Sequence, residues 1–424
     1  MSRRRYLLAP VVLGVVAALA LVALLAELVP VGPPLSFVLL AFDTRVLLGL
    51  AVTIFAASFL LYLYRLRGES PSALVADGRP VEALVPVYRD SAVMDRSVEG
   101  LVASTYGNLT VTIICEPDDE PALQRAARLA DRHEAVRRLV NEARQGSKAG
   151  ALNAAIERSD ADVVAMFDAD QEPHPELLAH GMAALETHDA ARVRSLPRPG
   201  GLVESEAYYE YLLLFFLPQK LGRFLLGFGV VGTRSVLLER SVFETVGLLD
   251  EETLTEDMDF THACHQAGVS VRELLYYPCF EQPAHTLGDW WGQRVRWMTG
   301  HVEVGHSQLR RWRDLPDLDV AGSLVTLLGT FVAGVLLALT VPKVLVAATA
   351  HPVAVGAGLA GIYGISLATR LVDNRTAGLE GVGMAWLLLP VFLSLYGLVI
   401  VRVLVGYTLG VEREWYRADK RTEP

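Results

Sequence analysis

The chain of 424 residues is 52% hydrophobic and 20% charged, a balance that suits a membrane protein with one large catalytic domain better than a soluble enzyme. Its 48 acidic against 38 basic residues leave a formal net charge of -10, which argues against a nucleic-acid binder, since polyanion binding needs a basic face. Cys115, Cys264 and Cys279 have no metal-type spacing and form no even set, so neither a disulfide framework nor a zinc site is expected, and a reducing compartment fits.

Two apolar stretches open the chain, at about 6–29 and 37–64, each long enough to cross a hydrocarbon core of roughly 30 Å as a helix. No small-residue cleavage site follows the first, so the two read as an uncleaved hairpin over residues 1–67 rather than a signal peptide. Arg3, Arg4 and Arg5 before it, with Arg65 and Arg67 after it, put both flanks in the cytosol. From about 78 to 317 short apolar runs alternate with amphipathic patterns, the texture of a doubly wound α/β domain. Strands are predicted at about 81–87, 110–115, 136–140 and 162–167, and helices at about 92–104, 121–133 and 148–158. Within this domain residues 204–228 are helical and strongly apolar, yet interrupted by Pro218 and Gly222, which predicts an amphipathic helix lying in the membrane interface. Beyond it, about 320–340, 353–371 and 384–405 are further candidate spans in a membrane region over 318–410. Three spans leave the 411–424 tail outside, whereas Arg413, Arg417, Lys420 and Arg421 favour the cytosol, so one stretch is interfacial or re-entrant or a further crossing is hidden.

In an open α/β sheet, ligands sit at the carboxyl ends of the strands, and two acidic clusters fall there. Asp168-Ala169-Asp170 offers two carboxylates, the hard oxygen ligands that hold Mg2+ or Mn2+ against a diphosphate. Glu116, Asp118 and Asp119 end an earlier strand; they suit a nucleoside or a metal, or form a solvated turn with Asp119 capping the next helix ahead of Pro121. Lys148 opens a glycine-marked turn into a small-residue helix, where it is either a donor-site cation or a packing residue. Thr255-Glu256-Asp257 starts an amphipathic helix, and a carboxylate there is well placed to deprotonate an acceptor hydroxyl; a capping box on Thr255 lacks its partner because Met258 occupies that position. Gln293-Arg294-Val295-Arg296-Trp297 combines an arginine suited to a diphosphate with a tryptophan suited to a sugar face, the same residues an interfacial helix carries. His262, Cys264 and His265 share about one helical turn and supply too few ligands for a metal.

Taken together, Pro86-Val87-Tyr88-Arg89-Asp90, the Gly146–Asn153 segment, Asp168-x-Asp170, Thr255-Glu256-Asp257 and Gln293-x-x-Arg296-Trp297 resemble, in order and rough spacing, the membrane-embedded family-two inverting glycosyltransferases of the cellulose, chitin and hyaluronan synthase branch. The resemblance covers over half of the chain and implies a GT-A-type domain, a mixed sheet flanked by helices, inserted between transmembrane helices. It implies Asp257 as the base, Asp170 as metal ligand with Asp168 beside the donor, and Gln293, Arg296 and Trp297 at diphosphate and acceptor. The acid that contacts the nucleoside is then one of Asp118 or Asp119, ahead of Glu116. It further implies a gate in the tail from Trp415, Arg417 and Lys420, although Ala418 stands where a threonine is usual. The expected enzyme is a multi-pass cell-membrane protein with its catalytic domain in the cytosol, taking a nucleotide sugar, UDP by analogy, and Mg2+ or Mn2+. Its acceptor is a growing polysaccharide or, alternatively, a polyprenyl-phosphate or glycolipid. A transporter or scaffold without catalysis is the third reading, weakened by carboxylates at every catalytic position.

Overall fold

The computed structural model describes residues 43–311 and 329–411 together with 416 and 420. The chain divides into two compact units: one holds Arg65–Arg198, Gly229–Pro283 and Lys420, the other the described residues up to Tyr64, Pro199–Phe228 and those from Ala284 through Tyr416.

The first unit is built on a seven-stranded sheet of order β3-β2-β1-β4-β6-β5-β7. Its strands are β1 (Val81–Val87), β2 (Leu109–Cys115), β3 (Val136–Val140), β4 (Val163–Met166), β5 (Ala190–Pro197), β6 (Val236–Glu239) and β7 (Val271–Glu281). The four strands predicted from apolar runs are present within a residue or two, as are helices Met94–Val102, Glu120–Arg132 and Lys148–Ile156. The predicted doubly wound texture holds over β1 to β4, which run parallel, but β6 lies antiparallel to both β4 and β5, making the sheet mixed.

Both faces of the sheet are covered. Val81, Ala83, Val85 and Val87 point to one face, against Met94, Val98, Leu101 and Leu129, while Leu84, Val164, Met166 and Leu238 pack on the other with Leu152 and Phe260. This is the period-two alternation of β-strands, and each such aliphatic side chain contributes roughly 1.5–3 kcal/mol on burial. The alternation also puts Glu82 inside the sheet face at 3% exposure. Its carboxylate is accepted there because Thr112 Oγ1 donates to it at 2.5 Å and Arg137 pairs with it.

One irregularity positions the end of β7. The register with β5 jumps from Val193↔Leu274 to Ser195↔Cys279, so a bulge around Tyr276 and Pro278 leaves backbone N–H groups without a ladder partner. The buried carboxylate of Glu69 takes them instead, accepting from Leu275 N at 2.9 Å and Tyr276 N at 3.0 Å. His180 sits between Glu69 Oε1, 3.0 Å away, and the Ala73 carbonyl at 2.9 Å. The chain leaves the bulge aimed so that Phe280 bridges Glu172, just after the Asp168–Asp170 loop.

Among the described residues three helices are long and apolar enough to cross a membrane: Thr44–Gly68, Pro352–Thr376 and Ala385–Leu409. The first predicted span, 6–29, lies outside the described residues. The predicted 320–340 span is described only from Gly329, and there it is two helices, Gly329–Ala338 and Thr340–Ala350, bent by 60° rather than one straight crossing. A Cβ at Gly397 would come within 2.0 Å of the Ala338 backbone nitrogen, so only glycine allows the Leu389–Leu409 helix to cross that bend so closely. The predicted interfacial stretch is a continuous helical run, Leu202–Glu210, a π-helical turn Tyr211–Phe216 and Leu217–Leu226, in which Pro218, lacking an N–H, follows directly on the π-helical turn. Tyr208, Leu212, Leu213 and Phe216 are buried, and Tyr208 donates to Asp373 Oδ2 at 2.6 Å, whereas Phe224 and Leu225 are exposed.

Candidate active site

The carboxyl ends of β1, β2 and β4 and the amino end of antiparallel β6 meet on one edge of the sheet. At the end of β4 the backbone turns, with the Asp168 amide donating to Gln171 Oε1 at 3.0 Å. The Gln171 amide in turn donates to Ser235 Oγ at 2.8 Å, and Ser195 Oγ donates to the same oxygen at 3.1 Å. These groups are buried, so each unmade bond would cost about 1–3 kcal/mol. The network therefore fixes the acidic loop against β5 and β6.

Lys148 reaches this loop from the start of the Lys148–Ile156 helix. Ser147 caps that helix, accepting from the Gly150 amide at 2.9 Å, and a Cβ at residue 150 would lie 2.2 Å from the Arg144 carbonyl oxygen. A glycine is thus required for the turn that aims the lysine. Its ammonium stands 2.6 Å from Asp168 Oδ1 and 3.6 Å from Glu256 Oε1. Burial works against the ammonium, but Asp168 and Glu256 raise it above the ordinary lysine value; burial likewise opposes ionisation of Asp168, yet Lys148 and Arg234 pull that carboxyl down to about 2. Glu256, by contrast, is pushed up by burial.

Asp257 lies in the first turn of helix Glu256–Gln266, half-buried, one of its oxygens accepting from Met258 N at 2.8 Å. Thr255 makes no side-chain cap, in keeping with the incomplete capping box. The preceding turn is clamped from the Lys148 helix: Asn153 accepts from Leu249 N at 3.0 Å and donates to the Leu249 carbonyl at 2.9 Å and to Glu251 Oε1 at 2.8 Å. One helix thus places both Lys148 and the loop that presents Asp257.

Asp170 and Asp90, at the ends of β4 and β1, share a cation. Lys420 Nζ is 2.9 Å from Asp90 Oδ2 and 3.2 Å from Asp170 Oδ1. Burial disfavours that charge, but Asp170 and Asp90 raise its pKa above the ordinary lysine value. At the end of β2, Glu116 is held by Asn141 at 2.7 Å and pushed up by burial; Asp118 is exposed, with Tyr88 Oη 3.4 Å away. Asp119 caps helix Glu120–Arg132, accepting from Ala122 N at 3.2 Å, and also accepts from the Arg89 amide. Its carboxylate is therefore engaged by main-chain donors.

Gln293, Arg296 and Trp297 lie in the other unit, on helix Leu287–Arg311. There the buried Arg294 organises the segment: its Nε donates to Glu210 Oε1 at 3.0 Å, its guanidinium lies 4.7 Å from the Trp297 ring centroid, and Gln293 accepts from it. Glu210 also accepts from Trp290 Nε1 at 2.6 Å, while Trp297 meets Phe215 edge-on. Trp415 and Arg417 of the tail lie outside the described residues. Tyr416 donates to Asp289 Oδ1 at 2.9 Å. His265 Nε2 faces the Gly229 backbone, 3.1 Å from its amide nitrogen and 2.6 Å from its carbonyl oxygen, and bonds to one or the other according to its tautomer; Cys264 is buried, and all three cysteines are free.

Arg234, Glu281, Asp90, Gln171 and Asn153 are the site residues that sequence reasoning left without a role. Asp90 and Asn153 fell inside recognised segments, whereas Glu281, which holds Arg234, and Ser235, which holds Gln171, are dozens of residues away from them. For a divalent ion, the described residues contain no group of three or more His, Cys, Asp or Glu side chains poised as a closed nest. Two carboxylates gathered around one ammonium at Asp90 and Asp170 do fit Mg2+ or Mn2+, which is ordinarily bound by one or two carboxylates with the remaining positions left to phosphate oxygens and water.

Over residues 79–300, just over half of the chain, the sequence matches the family described as "Glycosyltransferase like family 2". A beta-monoglucosyldiacylglycerol synthase of Trichormus variabilis is 25% identical over 229 residues, covering 52% of this chain and 48% of that protein. A poly-beta-1,6-N-acetyl-D-glucosamine synthase of Staphylococcus aureus is 24% identical over 246 residues, covering 56% and 58%. The chain spans about half the length of the curated relatives it matches. A mannosyltransferase from Pyrobaculum calidifontis, solved with GDP-Man and Mn2+, matches with a TM-score of 0.53 at 17% identity over 86% of this chain and 100% of that one, a likeness of fold.

Proposed function

The chain belongs to the glycosyltransferase-like family 2, and from that premise we propose that it transfers a sugar from a nucleoside diphosphate, with inversion, onto a growing polysaccharide. The observation that carries this reading is the convergence of Asp168, Asp170, Lys148 and Asp257 at the carboxylate-rich edge of one sheet. In the proposed layout a catalytic domain over 78–317 follows a membrane hairpin over 1–67 and precedes a membrane region over 318–410, with the catalytic domain cytosolic.

In the reaction the acceptor hydroxyl approaches the anomeric carbon from the side opposite the diphosphate. Asp257 takes its proton as the new C–O bond forms, and the electron pair of the breaking glycosidic bond leaves with the diphosphate. Asp168 holds Lys148 charged at the donor. Glu116 and Asp118 lie at the nucleoside end, where Asp118 retains an exposed carboxylate and Asp119 supports the loop. Asp170, with Asp90 beside it and Asp168 near the donor, would hold Mg2+ or Mn2+, which when bound neutralises diphosphate charge as a Lewis acid. Gln293, Arg296 and Trp297 serve diphosphate and acceptor. Trp415, Arg417 and Lys420 form the gate, and Lys420 supports this by standing among the donor-site carboxylates as a tethered cation.

Single-sugar transfer to a lipid acceptor is the second reading, favoured by the likeness to a glycolipid synthase. Product size separates the two. Protein in nanodiscs, supplied with radiolabelled nucleotide sugars and Mn2+, is expected to give a high-molecular-weight product from one donor. A solvent-extractable, single-sugar lipid as sole product would replace the polysaccharide reading with the second.

A further inference from the structure

Arg234 belongs to none of the recognised motifs, yet the fold delivers it to the centre of the cleft. The antiparallel register of β4 and β6 pairs Val163 with Glu239 and Met166 with Val236, so Arg234 enters β6 at the end where β4 runs out toward Asp168. The intervening turn is built with strain: Ser235 has φ 50, a left-handed conformation that a residue with a Cβ adopts only when its surroundings enforce it. The enforcing contacts are the buried bonds from Gln171 and Ser195 to Ser235 Oγ, so the loop that carries Asp168 and Asp170 also fixes the orientation of Arg234.

On its other side Glu281, brought in by the β7 bulge and the Glu172–Phe280 bridge, accepts from Arg234 Nη1 at 2.9 Å. Glu281 and then Asp168, Asp257 and Asp170 hold the guanidinium firmly charged. A guanidinium carries five N–H donors. Only the bond to Glu281 is made among the described residues, and the side chain keeps 32% exposure. Lys148 and Lys420 differ, their ammonium groups being within 2.6 Å of Asp168 and 2.9 Å of Asp90. Arg234 therefore presents more uncommitted donors than either lysine, within electrostatic reach of both the metal-site carboxylates and the base.

We propose that Arg234 is a catalytic residue that binds the donor's diphosphate and receives its charge as it leaves. The inference rests on the glycosyl-transfer reading above. As the acceptor oxygen bonds to the anomeric carbon and its proton passes to Asp257, the bond from that carbon to the diphosphate oxygen breaks with its electron pair, and the guanidinium fork donates to the oxygens that gain charge. A planar fork matches phosphate oxygens in pairs, which a lysine at this position cannot reproduce.

The test compares wild type, Arg234→Gln and Arg234→Lys in nanodiscs, with folding verified by thermal melting. Affinities for UDP, GDP and the matching monophosphates are measured with Mn2+ present, alongside kcat for the active donor. Arg234→Gln is expected to weaken the bound diphosphate about 10- to 100-fold, the range for loss of charge-assisted hydrogen bonds. Monophosphate binding should change much less, kcat should fall, and Arg234→Lys should recover only part of the loss. An unchanged diphosphate affinity and kcat in a folded Arg234→Gln protein overturns the assignment while leaving glycosyl transfer intact. Failure of the variant only with an anionic acceptor, its diphosphate affinity being normal, also overturns it and moves the arginine to the acceptor. If wild type binds no nucleoside diphosphate at all, the functional reading falls as well.

Discussion

Asp257→Asn is expected to lower kcat by on the order of 1,000-fold while changing nucleoside-diphosphate affinity by no more than about twofold. The asparagine is nearly isosteric and retains an oxygen for the Met258 amide, so the helix start has no reason to move. What disappears is the ability to take a proton. A neutral hydroxyl is a poor nucleophile, and a base held beside it typically contributes 100- to 10,000-fold. Lys148 does not substitute, because its neighbours keep it protonated. Isothermal titration with the diphosphate and radiolabel transfer, run on the same preparation, separate binding from chemistry. Near-normal turnover would remove Asp257 from the base role and leave the cleft without an assigned proton acceptor.

Asp170→Asn should act on the earlier step. A carboxylate is a far better ligand for a hard divalent ion than an amide, so Mn2+ affinity in the presence of diphosphate is expected to fall on the order of 100-fold, with transfer falling in parallel. Electron paramagnetic resonance of free against bound Mn2+ reads this directly, without turnover. Asp90 and Lys420 sharpen the prediction. In the wild-type arrangement one ammonium bridges Asp90 and Asp170, so metal entry must compete with that ion pair. The same Mn2+ affinity in wild type and variant would mean that Asp170 is not a ligand.

The parts of the fold legible in the sequence are those whose signal is local. The strands β1 to β4 alternate with helical segments, β1, β2 and β4 as mostly aliphatic runs and β3 as Val-Arg-Arg-Leu-Val, and their predicted limits agree with the structure to within a residue or two. The other half of the sheet is less regular in sequence. Arg192 and Arg194 interrupt β5, and Pro278 in β7 argues against a strand unless a bulge receives it. Those strands form because of distant groups: Glu69 satisfies the bulge, and Gln171 and Ser195 hold the strained Ser235. The site divides the same way. Asp168, Asp170, Lys148 and Asp257 announce themselves as a carboxylate pair at a strand end, a glycine-marked helix start and an acid at a helix start. Arg234 lies in Thr233-Arg234-Ser235, three residues that carry no pattern until β6 is paired against β4. The engagement of Asp119 by two backbone amides was readable in part, since the helix following Pro121 called for a cap, but the Arg89 amide arrives from 30 residues away.

A direct displacement, with Asp257 activating the acceptor and no sugar–enzyme bond, requires inversion at the anomeric carbon, and stereochemistry tests it most directly. Proton NMR of the first product formed from an α-linked nucleotide sugar should show a β-configured anomeric proton. An α-configured product would contradict a single displacement at this cleft and, with it, the role given to Asp257.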